Sequence, residues 1–243
     1  MVVCLDKATG KEVWKVDRAS DGTDENEHSY ASAVLWQNGK EAYLVCHGND
    51  YTTAHSLQDG KEIWRLMGLN PRAGRYHRTL RFVASPACSP GLIVVPTAKR
   101  EKLVAVRPDA TGEVQPGGKA EAWRIPKDLT PDVPSPLIHD GLVYVHGQDN
   151  GGGLLACLDA ATGAVVYRGA IAKGRHRASA VLADNKIYLV ARDGTTTVVQ
   201  PGKGVQEAGD EQAAGRDRRV AGGVRGRIYL RGFKYLWAVE ERK

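Results

Sequence analysis

Three clusters of basic residues recur just ahead of short, small-residue segments. They are Arg75-Tyr76-His77-Arg78 with Arg81, Arg175-His176-Arg177, and Arg216-Asp217-Arg218-Arg219. Guanidinium forks hold carboxylate, sulfate or phosphate through paired hydrogen bonds, and histidines beside them add charge that depends on pH. Arg75, His77, Arg78, Arg175, His176, Arg177, Arg218 and Arg219 are therefore candidate anion-binding residues. The competing reading is that these arginines sit on exposed loops and pair with acids of neighbouring repeats. A second constellation is His47-Gly48-Asn49-Asp50, repeated as His146-Gly147-Gln148-Asp149, with Arg192-Asp193-Gly194 as a degenerate copy. A His and Asp so spaced serve acid–base or metal chemistry, and His47 and His146 join the anion-binding candidates. Asn, Asp and Gly in this order also make a turn, and that is the simpler expectation. No GxSxG, HExxH or Walker motif occurs, so no catalytic residue is assigned. Asn150-Gly151-Gly152-Gly153 lacks the Lys-Ser/Thr of a phosphate loop and reads as a flexible linker.

The elements that must carry these loops repeat. Leu5-Asp6-Lys7-Ala8-Thr9-Gly10…Trp14, Leu57-Gln58-Asp59-Gly60…Trp64 and Leu158-Asp159-Ala160-Ala161-Thr162-Gly163…Tyr167 are copies of one phrase. Pro108-Asp109-Ala110-Thr111-Gly112 is a fourth copy, which reaches Trp123 after a seven-residue insertion. The turn glycines Gly10, Gly60, Gly112 and Gly163 lie 50, 52 and 51 residues apart, a spacing that belongs to radial repeats. Each unit reads as four strands. Strand a is rich in small residues (Ala31–Leu35, Ala84–Ala87, Pro134–Ile138, Ala178–Leu182, Ala221–Val224). Strand b is rich in Tyr and Val, strand c ends in Leu-Asp, and strand d carries the Trp. Four-stranded units around an axis make a β-propeller. The expectation is a single all-β domain over 1–243: a partial blade at 2–16, blades at about 30–66, 82–125, 133–171 and 178–206, and a partial blade at 220–240. That makes about five to six blades, as an incomplete ring or a piece of a larger propeller, with 203–216 as an irregular loop.

The net charge of +6 is concentrated in residues 173–243, which hold 15 Lys and Arg against 8 Asp and Glu. Such asymmetry favours an anionic partner over an even surface. Aromatic residues make up 7% of the chain and fall mostly on strands b and d, which disfavours stacking on single-stranded nucleic acid. No run of 18 apolar residues occurs that would span a membrane; Met1 is followed at once by the strand Val2-Val3-Cys4-Leu5, so no signal peptide is expected within this sequence, and a start inside a blade leaves open an upstream segment that held one. Cys4, Cys46, Cys88 and Cys157 form no CxxC or vicinal pair and read as small core residues.

The Leu-Asp-x-x-Thr-Gly-x-x-x-Trp phrase, with Ala-Ser or Ser-Pro opening strand a, resembles the PQQ-like (quinoprotein-type) propeller repeat over nearly the whole chain. The resemblance implies a family that includes the quinoprotein alcohol dehydrogenases, the BamB-type lipoproteins of outer-membrane assembly, and extracytoplasmic bacterial propellers without a cofactor. It also implies that Trp14, Trp64, Trp123 and Tyr167 pack against a neighbouring blade. The dehydrogenases of the family have a vicinal Cys-Cys and a calcium held by Glu, Asn and Asp; this sequence has no Cys-Cys, and no cofactor, PQQ or calcium, is assigned. The expected function is a non-catalytic scaffold that binds a protein partner or an anionic ligand in an extracytoplasmic setting. The alternatives are a divergent quinoprotein-type oxidoreductase and a binder of acidic polysaccharide or peptide.

Overall fold

The computed structural model describes residues 1–71, 76–99, 102–125, 129–149, 152–202, 204, 207–212, 220–224, 227–232 and 234–240. The chain forms two compact units, Met1–Pro126 and Lys127–Lys243. The first holds β1 (Val2–Leu5), β2 (Glu12–Val16), β3 (Val34–Asn38), β4 (Glu41–Gly48), β5 (Tyr51–Ser56), β6 (Glu62–Leu66), β7 (Ala87–Ser89), β8 (Leu92–Pro96), β9 (Leu103–Val106), β10 (Gly112–Val114) and β11 (Glu121–Ile125). The second holds β12 (Leu137–His139), β13 (Leu142–Asp149), β14 (Gly152–Asp159), β15 (Val165–Ile171), β16 (Val181–Ala183), β17 (Lys186–Val190), β18 (Thr195–Val199), β19 (Glu207–Gln212), β20 (Val220–Val224), β21 (Arg227–Arg231) and β22 (Leu236–Glu240). One 3-10 turn, Asp24–Glu27, is the only helical element among the described residues.

The strands form small antiparallel meanders. The complete ones are β3-β4-β5-β6, β7-β8-β9-β11, β12-β13-β14-β15 and β16-β17-β18-β19; β1-β2 and β20-β21-β22 are shorter. The fold is an all-β propeller architecture of four-stranded blades. The a–b hairpins close through two-residue loops, as at Asp140-Gly141 and Asp184-Asn185, where all four residues have positive φ. The c–d turn uses its Asp as a backbone mimic. Asp6 Oδ1 accepts from Thr9 N at 2.7 Å and Thr9 Oγ1 at 2.6 Å, and Asp159 Oδ1 accepts from the same groups of Thr162 at 2.9 and 2.8 Å. Gly10 and Gly163 then sit at φ 70° and 73°. In the second copy Ser56, not a residue of Leu57–Gly60, holds the Asp place: Gly60 N donates to Ser56 O as Gly10 N does to Asp6 O.

A β-bulge follows the same pairing in four of the sheets. Cys4 faces Trp14, Ala54 faces Trp64, Ala105 faces Trp123, and Cys157 faces Tyr167. A small residue under a large ring, at one register, is how the repeated phrase becomes repeated packing. The core of the first unit gathers Trp36, Tyr43, Val45, Ala54, Trp64, Leu66, Val104, Val106 and Val114. Trp36 stacks on Tyr43 at 4.6 Å, and Tyr43 meets Trp64 edge-on at 6.2 Å. The core of the second unit gathers Leu142, Tyr144, Leu155, Cys157, Ile171, Ile187, Leu189 and Val199, with Tyr167 packed against it.

Three details depart from the sequence reading. Strand a begins later than its small residues: β3 starts at Val34, β7 at Ala87 and β12 at Leu137. Pro86 and Pro136 lack the N–H a ladder needs. The small residues instead let successive entry segments touch, with Ser32 N donating to Ser85 Oγ and Ser135 N to Ser179 Oγ, both at 2.9 Å. The insertion before Trp123 is not a loose loop. Its β10 adds to β6 in parallel, Val114 opposite Leu66, as a fifth strand. Residues 207–212, read as part of an irregular loop, form β19, which lacks alternation and an aromatic and takes its order from pairing with β18.

Candidate functional site

In the first unit the loop face is built from the approach to β3, the β4–β5 hairpin and the segment ahead of β7. Asn49 and Asp50 turn the β4–β5 hairpin with φ 51° and 66°, so His47-Gly48-Asn49-Asp50 is a hairpin end with both central residues left-handed. Its second copy does not turn at the same place. β13 runs through Gln148 and Asp149, which pair with Gly153 and Gly152, and the intervening residues 150 and 151 lie outside the described residues. Gly152 and Gly153 therefore belong to β14 rather than to a flexible linker. A Cβ on Gly153 would come within 2.5 Å of Ala172 O and 2.7 Å of His176 Nε2, so only glycine fits.

A partly buried arginine holds the first hairpin. Arg18 Nε donates to Thr53 Oγ1 at 2.8 Å, Nη1 to Asn49 Oδ1 at 3.1 Å, and Nη2 to Gly48 O and Tyr51 O at 2.7 Å. Beside it Asp50, itself buried, accepts from Asn70 Nδ2 at 2.8 Å and from Tyr76 OH. Tyr76 OH accepts in turn from Asn26 Nδ2 at 3.0 Å and Thr23 N at 3.2 Å. Asn26 and Asn70 both donate to His77 O, at 2.7 and 3.0 Å. This network fixes the segment that carries Arg78 and Arg81. Arg18, Asn26 and Asn70 carry no motif or periodicity in the sequence; the only hint is that each lies in a segment between strands. Replacing Arg18 by Met leaves two carbonyls and two side-chain oxygens without their donor. Arg18→Met is expected to cost about 3 kcal/mol and to speed amide exchange at residues 48–52 before other segments, read by hydrogen exchange and urea unfolding.

The anion-binding candidates fall into different surroundings. Arg78 and Arg81 are exposed but face acids of the 3-10 turn, with Arg78 Nε 3.7 Å from Asp24 and Arg81 Nη1 3.0 Å from Glu25; Arg81 also lies over the Tyr30 ring at 5.7 Å. These are surface pairs, each weak in water. Arg175 and Arg177 are exposed, and neither makes an ion pair among the described residues. Arg75, Arg218 and Arg219 lie outside the described residues. His47 is buried, flat against Phe82 at 4.5 Å, with Nδ1 2.7 Å from Thr52 Oγ1; burial drives its pKa down to about 3. His146 is buried 5.9 Å from His176, with Nε2 3.0 Å from Ala178 O; burial, then the neighbouring His176, lowers its pKa to about 4. His176 is buried too, its Nε2 2.9 Å from Ala172 O. Facing carbonyls, the Nε2 atoms of His146 and His176 donate, and burial leaves His47 and His146 as uncharged packing groups at neutral pH. In the second unit, His146 and His176 hold the loop that carries Arg175 and Arg177, whose own main chain is tied by Arg192 N donating to Arg175 O at 2.8 Å.

The aromatic set is placed as follows. Trp64 is fully buried and Trp123 nearly so, while Trp14 and Tyr167 are half-buried. Trp14 Nε1 donates to Leu57 O, 43 residues on, at 3.0 Å. Strand b adds a parallel link: Tyr43 OH donates to Pro108 O at 2.9 Å, and Tyr144 OH accepts from Gly202 N at 2.9 Å. The four cysteines are free thiols, and among the described residues no three His, Cys, Asp or Glu side chains gather as a metal-ligand set.

A family model described as the outer membrane protein assembly factor BamB matches residues 1–116 and again 111–222. The chain belongs to this PQQ-like repeat family. Solved structures similar to it include BamB from Moraxella catarrhalis, at 15% identity and a TM-score of 0.53 over 95% of this chain and 75% of that one. The quinohemoprotein alcohol dehydrogenase ADHIIG from Pseudomonas putida HK5 has 13% identity and a TM-score of 0.66 over 94% of this chain and 42% of that one. Saccharomyces cerevisiae Sqt1 has 10% identity and a TM-score of 0.71 over 98% of this chain and 65% of that one. At these identities the likeness establishes the propeller fold and nothing further. No curated protein matches the chain in sequence. Among the described residues no helix is long and apolar enough to cross a membrane.

Proposed function

We propose that this PQQ-like repeat protein is a non-catalytic scaffold that binds a protein partner in the extracytoplasmic space of a bacterium, using the loops ahead of strand a and the b–c hairpins as its binding face. The observation that carries the reading is the double match to the BamB family model in a sequence without the Cys-Cys pair of the dehydrogenases. The dense hydrogen bonding around Arg18, Asp50 and Tyr76 supports it, because a rigid scaffold under surface loops lowers the ordering cost of binding. Replacing Arg177 by a photo-crosslinking amino acid, in the organism that makes the protein, should give discrete protein adducts, while the same residue at Val13 gives none. Equal labelling at both positions, or none at either, would remove the assigned face.

A second reading, binding of an acidic polymer, is favoured by Arg175 and Arg177, which lack the acidic partners of Arg78 and Arg81. Affinity for heparin or polyglutamate that falls steeply with salt and is weakened by Arg175→Ser with Arg177→Ser would carry it.

A further inference from the structure

Two histidines of the second unit commit one ring nitrogen to the backbone and leave the other bare. His146 Nε2 lies 3.0 Å from Ala178 O, and His176 Nε2 lies 2.9 Å from Ala172 O. A carbonyl only accepts, so each ring carries its proton on Nε2 and a lone pair on Nδ1. The two residues are 3% and 5% exposed, and neither Nδ1 has a hydrogen-bond partner among the described residues. A buried acceptor without a donor costs stability, so a pair of them calls for a reason.

The first unit shows what packing alone requires at this place. Val45, Ala54 and Trp64 form one cross-strand row, and Tyr144, Cys157 and Tyr167 form its counterpart. His47 and His146, each two residues further along, therefore share a register position. Phe82 and His176 share one too, each five residues ahead of a strand a, β7 at Ala87 and β16 at Val181. His47 lies flat on Phe82 at 4.5 Å, and its Nδ1 meets Thr52 Oγ1 at 2.7 Å. Where the first unit has a plain phenyl ring, the second has a second imidazole. Its two rings stand edge to face with centroids 5.9 Å apart.

An imidazole that gives its N–H to a backbone carbonyl has the posture of a metal ligand, because that bond fixes the tautomer and the ring orientation. With about 2 Å from nitrogen to metal and roughly 1 Å from nitrogen to ring centre, two imidazoles across one ion have centres about 6 Å apart. Among the described residues no third His, Cys, Asp or Glu completes a larger set. Two neutral ligands in a buried place suit a single charge, whereas zinc takes four ligands and brings two charges. The cationic Arg175 and Arg177, on either side of His176, strengthen that preference. Copper(I) is a soft ion of one charge that imidazole nitrogen suits.

We propose that His146 Nδ1 and His176 Nδ1 together bind one copper(I) ion, which ties β13 to the segment ahead of β16. The site is independent of what the loop face binds.

The probe is copper(I), kept reduced with ascorbate under argon and titrated into the full chain labelled with ¹⁵N-histidine. Long-range ¹H–¹⁵N spectra read each ring nitrogen, so copper taken by the four thiols does not enter the readout. Without metal, both rings are expected to show the proton on Nε2. With metal, the Nδ1 signals of His146 and His176 shift together and saturate together, and amides 172–178 gain protection from exchange. His176→Phe copies Phe82, keeps a cooperative melt, and abolishes the shift at His146. A proton on either Nδ1 in the free chain, a shift at one ring alone, or a His146 shift that survives His176→Phe overturns the proposal. Rings unmoved by copper also overturn it, and assign the two lone pairs to buried water.

Discussion

Trp64→Ala lowers the stability of the Met1–Pro126 unit by about 4 kcal/mol, which is about 10–15 °C in its thermal midpoint. The ring is fully buried, edge-on to Tyr43 and opposite Ala54, in a core that also draws on Val104, Val106 and the inserted strand at Val114. Removing it opens a cavity between sheets whose backbones are fixed by their ladders, so little collapse can relieve it. Trp14→Ala costs less, because Trp14 is half-buried and its indole N–H, which donates to Leu57 O, can turn to water. Calorimetry of the two variants reads the difference. Equal, small losses would mean that the aromatic of strand d does not organise the blades.

Acid weakens the protein through its buried histidines. His47 and His146 have folded pKa values of about 3 and about 4 against 6.5 for a free histidine, both mainly through burial. Their folded pKa values are lowered, so as the pH falls the unfolded chain takes the proton first. The stability they support is complete above about pH 6.5 and is lost from there down to about pH 3 for His47 and about pH 4 for His146. At pH 5 each is expected to have removed about 2 kcal/mol. Urea unfolding at pH 7.5 and pH 5.0 measures the fall. His47→Gln keeps a polar side chain but cannot titrate, so it narrows the gap between the two pH values by about 2 kcal/mol whatever it does to absolute stability. A gap unchanged by His47→Gln would show that His47 is hydrated and free to protonate.

The fold was legible because its signals are local and repeated. The Asp-x-x-Thr-Gly turn shows itself in residue types, and so do the Trp four residues beyond it and the Tyr/Val run of strand b; the structure places the turn and the strand-d aromatic at one register in the first and fourth copies. What the sequence hid lies in contacts between distant segments. Ser56 replaces Asp6 by function and not by letter. β10 pairs in parallel with a strand 48 residues earlier, Gly112 opposite Trp64. β19 has no alternation of its own. The site was less legible than the fold. His47 and His146 stand out as chemistry-bearing residues, yet burial makes them neutral spacers, and that burial comes from Phe82 and from the loop of Ala178. Arg18 carries the hairpin through four acceptors, three of them backbone or side-chain atoms of residues 48–51. A single arginine four residues past a Trp gives no pattern to read.

In the proposed function this propeller works without a quinone cofactor. A thermal melt of the full chain with rising PQQ and Ca²⁺ tests it, since a ligand that binds only the folded state raises the midpoint in proportion to the logarithm of its concentration over its dissociation constant. One midpoint at every concentration is expected. A saturable rise, abolished by omitting either component, would contradict it and return the chain to the oxidoreductases.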